Sequence, residues 1–154
     1  MMDNKENFYV YFGSKYCPWC RSVIEMAIKT AKEKVIKKIY YVDIWDEDRN
    51  EILRDKYVLN SNNEPEQVIE GTKVYYEFLN RFDNVLYDYA LSDEDGNKIS
   101  VGEKRISAPN FIYIENGIAN SLVTGISEKQ KNFNDDLSSE ILDDEHEIFN
   151  NFFK

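Results

Sequence analysis

The chain holds two cysteines and one histidine, and Cys17 and Cys20 sit two residues apart in Tyr16-Cys17-Pro18-Trp19-Cys20-Arg21. Two thiols at that spacing permit three chemistries: a dithiol that cycles to a disulfide, half of a metal site, or an inert pair in a core. As a structural staple the pair would close too short a loop to constrain much unfolded-chain entropy. In a reducing compartment such a pair is catalytic or metal-binding. A structural zinc site wants four ligands, and Cys17, Cys20 and the distant His146 fall short of that unless carboxylates or a second chain contribute. Redox exchange is the favoured chemistry, with an iron–sulfur cluster bridged between two chains through Cys17 as a minor alternative. His146 falls among acidic residues and is read as a solvated surface side chain without a role.

The flanking residues say how the pair would be held. Phe8-Tyr9-Val10-Tyr11-Phe12-Gly13 is aromatic and β-branched and reads as a buried strand. From Pro18 onward Val23, Ile24, Ala27, Ile28, Ala31 and Val35 recur at helical spacing, with lysines toward the far end, where cations suit the macrodipole. Pro18 suits the first helical position, where its missing N–H would be unpaired anyway, and this places Cys17 at the N-cap. Only a thiolate attacks disulfides, and a free thiol near a pKa of about 8.5 is mostly protonated at neutral pH. At a helix N-terminus the unpaired N–H groups and the dipole favour the anion, and Lys15 and Arg21 would add to this. Cys17 is therefore expected to be the attacking thiolate with a lowered pKa, and Cys20 the less exposed resolving thiol. Trp19 is either an apolar contact for substrate or a packing residue.

Further along, Ile39-Tyr40-Tyr41-Val42-Asp43-Ile44-Trp45 reads as a second strand, parallel to the first with a right-handed crossover. A short helix over 47–57 is expected, with Asp46 as its cap, then a loop over 60–65. A further helix is expected over 66–82, with Gly71 as the point at which it would break in two; its Tyr75, Phe78, Leu79 and Phe82 read as core rather than a cofactor box. The period then changes to two on both sides of Asp95-Gly96, a hairpin signal. A charged loop over 102–109 leads into Asn110–Glu115 and Ile118–Thr124, which flank Asn116-Gly117, the strongest hairpin turn in the chain. An amphipathic helix starting at about Ser138 or Ser139 closes the chain, with Leu137, Ile141, Leu142, Ile148, Phe149, Phe152 and Phe153 expected to supply its buried face.

At 154 residues this is enough chain for one domain, read over 1–154 with an insertion at about 60–105, and 42% apolar content argues for a packed core rather than disorder. A net charge of −10 argues against nucleic-acid or anionic-membrane partners. The polar start Met1-Met2-Asp3-Asn4-Lys5-Glu6-Asn7 lacks the pattern of a signal peptide, and no apolar run approaches a membrane span, so a cytoplasmic protein is expected.

Taken in order, these elements resemble the thioredoxin-like superfamily. Tyr9 through Arg21 resembles the active-site segment of that family, and Ser107-Ala108-Pro109-Asn110-Phe111-Ile112-Tyr113 followed by Asn116-Gly117 is similar to its cis-proline strand and hairpin. The nearest likeness is to small bacterial thioredoxin-like proteins, including those labelled bacteriocin transport accessory proteins. The resemblance implies an α/β fold: a central mixed sheet flanked by helices, with an inserted helix and β-hairpin before the cis-proline strand. It implies a thiol–disulfide oxidoreductase with catalytic Cys17 and Cys20, and substrate contacts at Pro18, Trp19, Ala108 and Pro109. A cis Ala108–Pro109 bond would turn the Ala108 backbone toward the cysteines, where an extended substrate could pair with it.

No metal and no cofactor beyond a Cys17–Cys20 disulfide is implied. The expected partners are protein disulfides and an unidentified reductase or thiol donor, served by a monomer acting as a reductant. Three features depart from the family pattern. Pro18-Trp19 replaces the Gly-Pro of typical thioredoxins, and Tyr11 stands where they place a buried Asp. Pro109 follows Cys17 by 92 residues, about twice the family's compact spacing. The insertion also admits another class of protein, a binding or accessory module of a secretion or immunity system with little turnover.

Overall fold

The computed structural model describes residues 6–154; Met1–Lys5, part of the polar start read against a signal peptide, lies outside them. In chain order the elements are β1 (Phe8–Gly13), α1 (Pro18–Glu33), β2 (Ile39–Asp43), β3 (Lys56–Leu59), β4 (Pro65–Ile69), α2 (Lys73–Phe82), β5 (Tyr87–Ser92), β6 (Lys98–Arg105), β7 (Asn110–Glu115), β8 (Ile118–Val123) and α3 (Ser139–Phe152). Contacts divide them into two compact units, one running to Asp43 and resuming at Ser107–Lys154, the other spanning Ile44–Ile106.

The first unit is built on one mixed sheet of order β2-β1-β7-β8, in which β1 runs parallel to β2 and antiparallel to β7, and β8 antiparallel to β7. A parallel pair needs a crossover, and α1 supplies it. A central mixed sheet with helices is consistent with a thioredoxin-like fold. Alternation along the strands sends Tyr9, Tyr11, Phe111 and Tyr113 to one face. There they pack with Val23, Ala27 and Ala31 of α1 and with Phe149, Phe152 and Phe153 at the end of the chain. Small residues at 27 and 31 let this helix lie close over large aromatic rings. The β7–β8 turn at Asn116-Gly117 has φ of 53° and 80°, the left-handed pair that a two-residue hairpin requires. Ser138 caps α3 by accepting the Ile141 N–H at 3.3 Å.

Glu145 of α3 is fully buried, and among the described residues neither carboxylate oxygen has a hydrogen-bond partner. Burial pushes its pKa up to about 7. The folded state therefore holds the proton more tightly than the unfolded chain does. Its contribution to stability is complete below the ordinary carboxyl pKa and is lost as pH rises through about 7. Glu145→Gln is expected to flatten the loss of stability between pH 5 and 8, gaining on the order of 1–2 kcal/mol at the alkaline end. Urea titrations at several pH values check this, and parallel curves for the two proteins would refute it.

The second unit departs from its sequence reading. No helix forms over 47–57. Asp46 Oδ1 instead accepts the Asn50 N–H at 2.8 Å, Arg49 takes φ of 67°, and Trp45 bridges to Glu51 beyond the end of β2. A side chain that bonds its own backbone offers a turn in place of a helix, and here the turn wins. Residues 66–69, expected in a helix, belong to β4, which pairs with β3 around a turn closed by Asn60 Oδ1 on the Asn62 and Glu64 N–H groups. The helix begins only after Gly71, with Thr72 accepting the Tyr75 N–H at 3.2 Å. Tyr75, Leu79 and Phe82 form its buried face. The residues read as a charged loop up to Arg105 continue strand β6.

Candidate active site

Cys17 is the N-cap of α1 and Pro18 opens the helix. The backbone turns into it through the Cys17 N–H, which bonds the Ser14 carbonyl at 3.1 Å. Cys17 is half-buried, and its sulfur accepts the Cys20 N–H at 3.3 Å. Its thiol donates to the Ala108 carbonyl at 3.5 Å. No acidic side chain lies in the first turn of α1, so the positive end of the dipole has no competing anion there. Once Cys17 ionises, the Ala108 carbonyl has no proton to accept, while the N–H contact becomes charge-assisted.

Cys20 is buried and is not disulfide-bonded to Cys17. Its pKa is pushed up, first because its thiol hydrogen-bonds to Cys17 and then because it is buried; the Ser14 backbone and the Tyr11 side chain pull it down. Cys20 thus holds its proton while Cys17 carries the accessible sulfur.

The other expected site residues fall as follows. The Ala108–Pro109 peptide is cis, and Pro109 is buried. The Asn110 side chain holds this corner by accepting the Ser107 N–H at 2.8 Å and donating to the Pro109 carbonyl at 2.9 Å. Pro18 is exposed, and Trp19 is half-buried with its ring edge-on to Phe133 at 6.3 Å. Lys15 and Arg21 are exposed at the rim of a groove of about 650 Å³. His146 bonds Glu33 at 2.7 Å, linking α3 to α1.

That groove was not legible in the chain. Tyr11, Cys20, Ile24, Ala27, Ile28, Ile39, Tyr41 and Phe111 line it, so one wall carries Cys20 and most of the rest is apolar. Among the described residues, no carboxylate lines it. Ile28 and Tyr41 remain about half-exposed, at 47% and 53%. Strand residues 11, 41 and 111 come from three separate segments and meet only through the register Tyr11↔Tyr41 and Tyr11↔Phe111. Among the described residues, no group of three or more His, Cys, Asp and Glu side chains is placed to hold a metal ion, and no helix is long and apolar enough to cross a membrane.

No protein-family model and no curated protein matches the chain. One solved structure that does match is described as a thioredoxin-fold protein from Helicobacter pylori, at 13% sequence identity and a TM-score of 0.37, covering 99% of this chain and 86% of that one.

Proposed function

We propose that the protein is a thioredoxin-like thiol–disulfide oxidoreductase, in which the Cys17–Cys20 dithiol reduces protein disulfides. What carries this reading is the placement of Cys17: capping α1, holding the Cys20 N–H on its sulfur, with buried Cys20 beside it. The Cys17 thiolate attacks one sulfur of a substrate disulfide, joining itself to that sulfur, and the other substrate sulfur leaves as a thiolate. Cys20 then attacks Cys17. The bond to substrate breaks, the substrate leaves with both sulfurs reduced, and a reductase or small thiol returns the Cys17–Cys20 disulfide to the dithiol. The Ala108 carbonyl beside Cys17 favours strand-like pairing with an extended substrate, flanked by Pro18 and Trp19.

Insulin reduction with a thiol donor tests the activity. Cys20→Ser is expected to accumulate a mixed disulfide through Cys17, whereas Cys17→Ser accumulates none; the opposite pattern would exchange the two roles. A second reading, a binding module with little turnover, draws on the exposed Val58, Val68 and Ile69 of the β3–β4 hairpin. It requires that function survive Cys17→Ser.

A further inference from the structure

Tyr11 is buried and clamped between two rings. Its ring stacks on Phe111 at 4.4 Å and 13° on one side and on Tyr41 at 5.4 Å and 29° on the other. The three rings stand side by side because the sheet register pairs residue 11 with 41 and with 111. The ring leans along β1 over Gly13, where a β-carbon would lie 2.3 Å from both Cζ and the hydroxyl oxygen. Any side chain at residue 13 would push the hydroxyl off its place. Held there, Tyr11 lines the groove together with Cys20, and the two side chains belong to one packed cluster, which sets the hydroxyl beside the Cys20 thiol.

We propose that Tyr11 is a third catalytic residue, whose hydroxyl donates a hydrogen bond to the Cys20 thiolate as that sulfur attacks Cys17. The proposal rests on the dithiol reading above. Burial first, and then its contact with Cys20, raise the Tyr11 pKa well above the usual phenol range, so the hydroxyl stays a donor throughout the working pH range. It does not take the Cys20 proton. That proton goes to water in the groove and is restored to the departing substrate thiolate, so the step yields one protein disulfide and one substrate thiol. The groups facing Cys20 are Cys17, the Ser14 backbone, Tyr11 and, more distantly, Tyr41. Lys15 and Arg21 stand at the groove rim, and Phe111 of β7 brings no titratable group. Neutral donors, the Ser14 backbone first and the Tyr11 hydroxyl after it, are thus the groove's means of favouring the Cys20 anion.

The test is stopped-flow reaction of the reduced protein with substoichiometric Ellman's reagent, which releases one chromophoric thiolate when Cys17 attacks and a second when Cys20 resolves. In Tyr11→Phe, which keeps the stacked ring, the first phase is expected to be unchanged. The second is expected to slow about tenfold below its midpoint, with that midpoint moved up by about one pH unit, as loss of one hydrogen bond to a charged group requires. Gly13→Ala should do the same by displacing the hydroxyl. Superposed second-phase profiles for wild type and Tyr11→Phe overturn the Tyr11 assignment and leave the dithiol reading standing, as does equal slowing of both phases. Absence of a second phase in the wild type overturns both.

Discussion

Cys17→Ser is expected to bring disulfide exchange down to the uncatalysed background while leaving the fold intact. A serine hydroxyl ionises far above the pH at which a thiol does and forms no stable bond to sulfur, so the first attack disappears entirely rather than by degree. Serine is also a preferred N-cap. Its oxygen can accept the Cys20 N–H that the sulfur accepts at 3.3 Å, so α1 keeps its start. The substitution therefore separates chemistry from folding. Insulin reduction read beside the circular dichroism spectrum and the thermal midpoint gives both at once. Turnover above a few per cent of wild type with an unchanged fold would place the chemistry elsewhere and sink the proposed function.

The largest expected loss of stability is at Phe149→Ala. Phe149 is fully buried on α3, edge-on to Phe111 at 4.9 Å and stacked with Phe153 at 5.8 Å. Beneath it lies Gly125, with φ of 79°, where a β-carbon would come within 2.2 Å of the ring. The backbone has thus been brought against the ring, and strands and turn cannot readily collapse into the space that alanine would leave. Removing a large aromatic side chain from such a site costs about 3–5 kcal/mol, or roughly 10 °C in a protein of this size. Because Phe111 also clamps Tyr11, the groove should loosen together with the core. Urea denaturation measures the first effect, and a loss below about 1 kcal/mol would show that the site does relax.

Much of the first unit could be read from the chain because its signals are local. The helical repeat after Pro18, the Asn116-Gly117 turn and Ser138 ahead of an amphipathic run each specify an element within a few residues. The region over 45–72 misled for the same reason in reverse. Ile52, Leu53 and Tyr57, then Val68 and Ile69, fall at helical spacing, yet Leu53 is buried while Val68 and Ile69 are about half-exposed on a strand. Short apolar runs fit either period, and the deciding forces were side-chain bonds from Asp46 and Asn60 to nearby backbone, together with pairing between β3 and β4.

At the opening pair of cysteines, sequence alone determined which atoms could do chemistry and which of them would cap the helix, since both follow from residue type and from a proline two positions inside the motif. That Cys20 would be the less exposed of the two followed from its place inside the helix; the approach of the Ala108 carbonyl to within 3.5 Å of Cys17 and the apolar groove beside Cys20 were decided by the tertiary structure. Tyr11 shows why. In the chain it registers only as the absence of an acid. Its hydroxyl is brought to the groove beside Cys20 because three strands align three rings and Gly13 leaves room, a relation between residues 11, 13, 20, 41 and 111 that no spacing along the chain encodes.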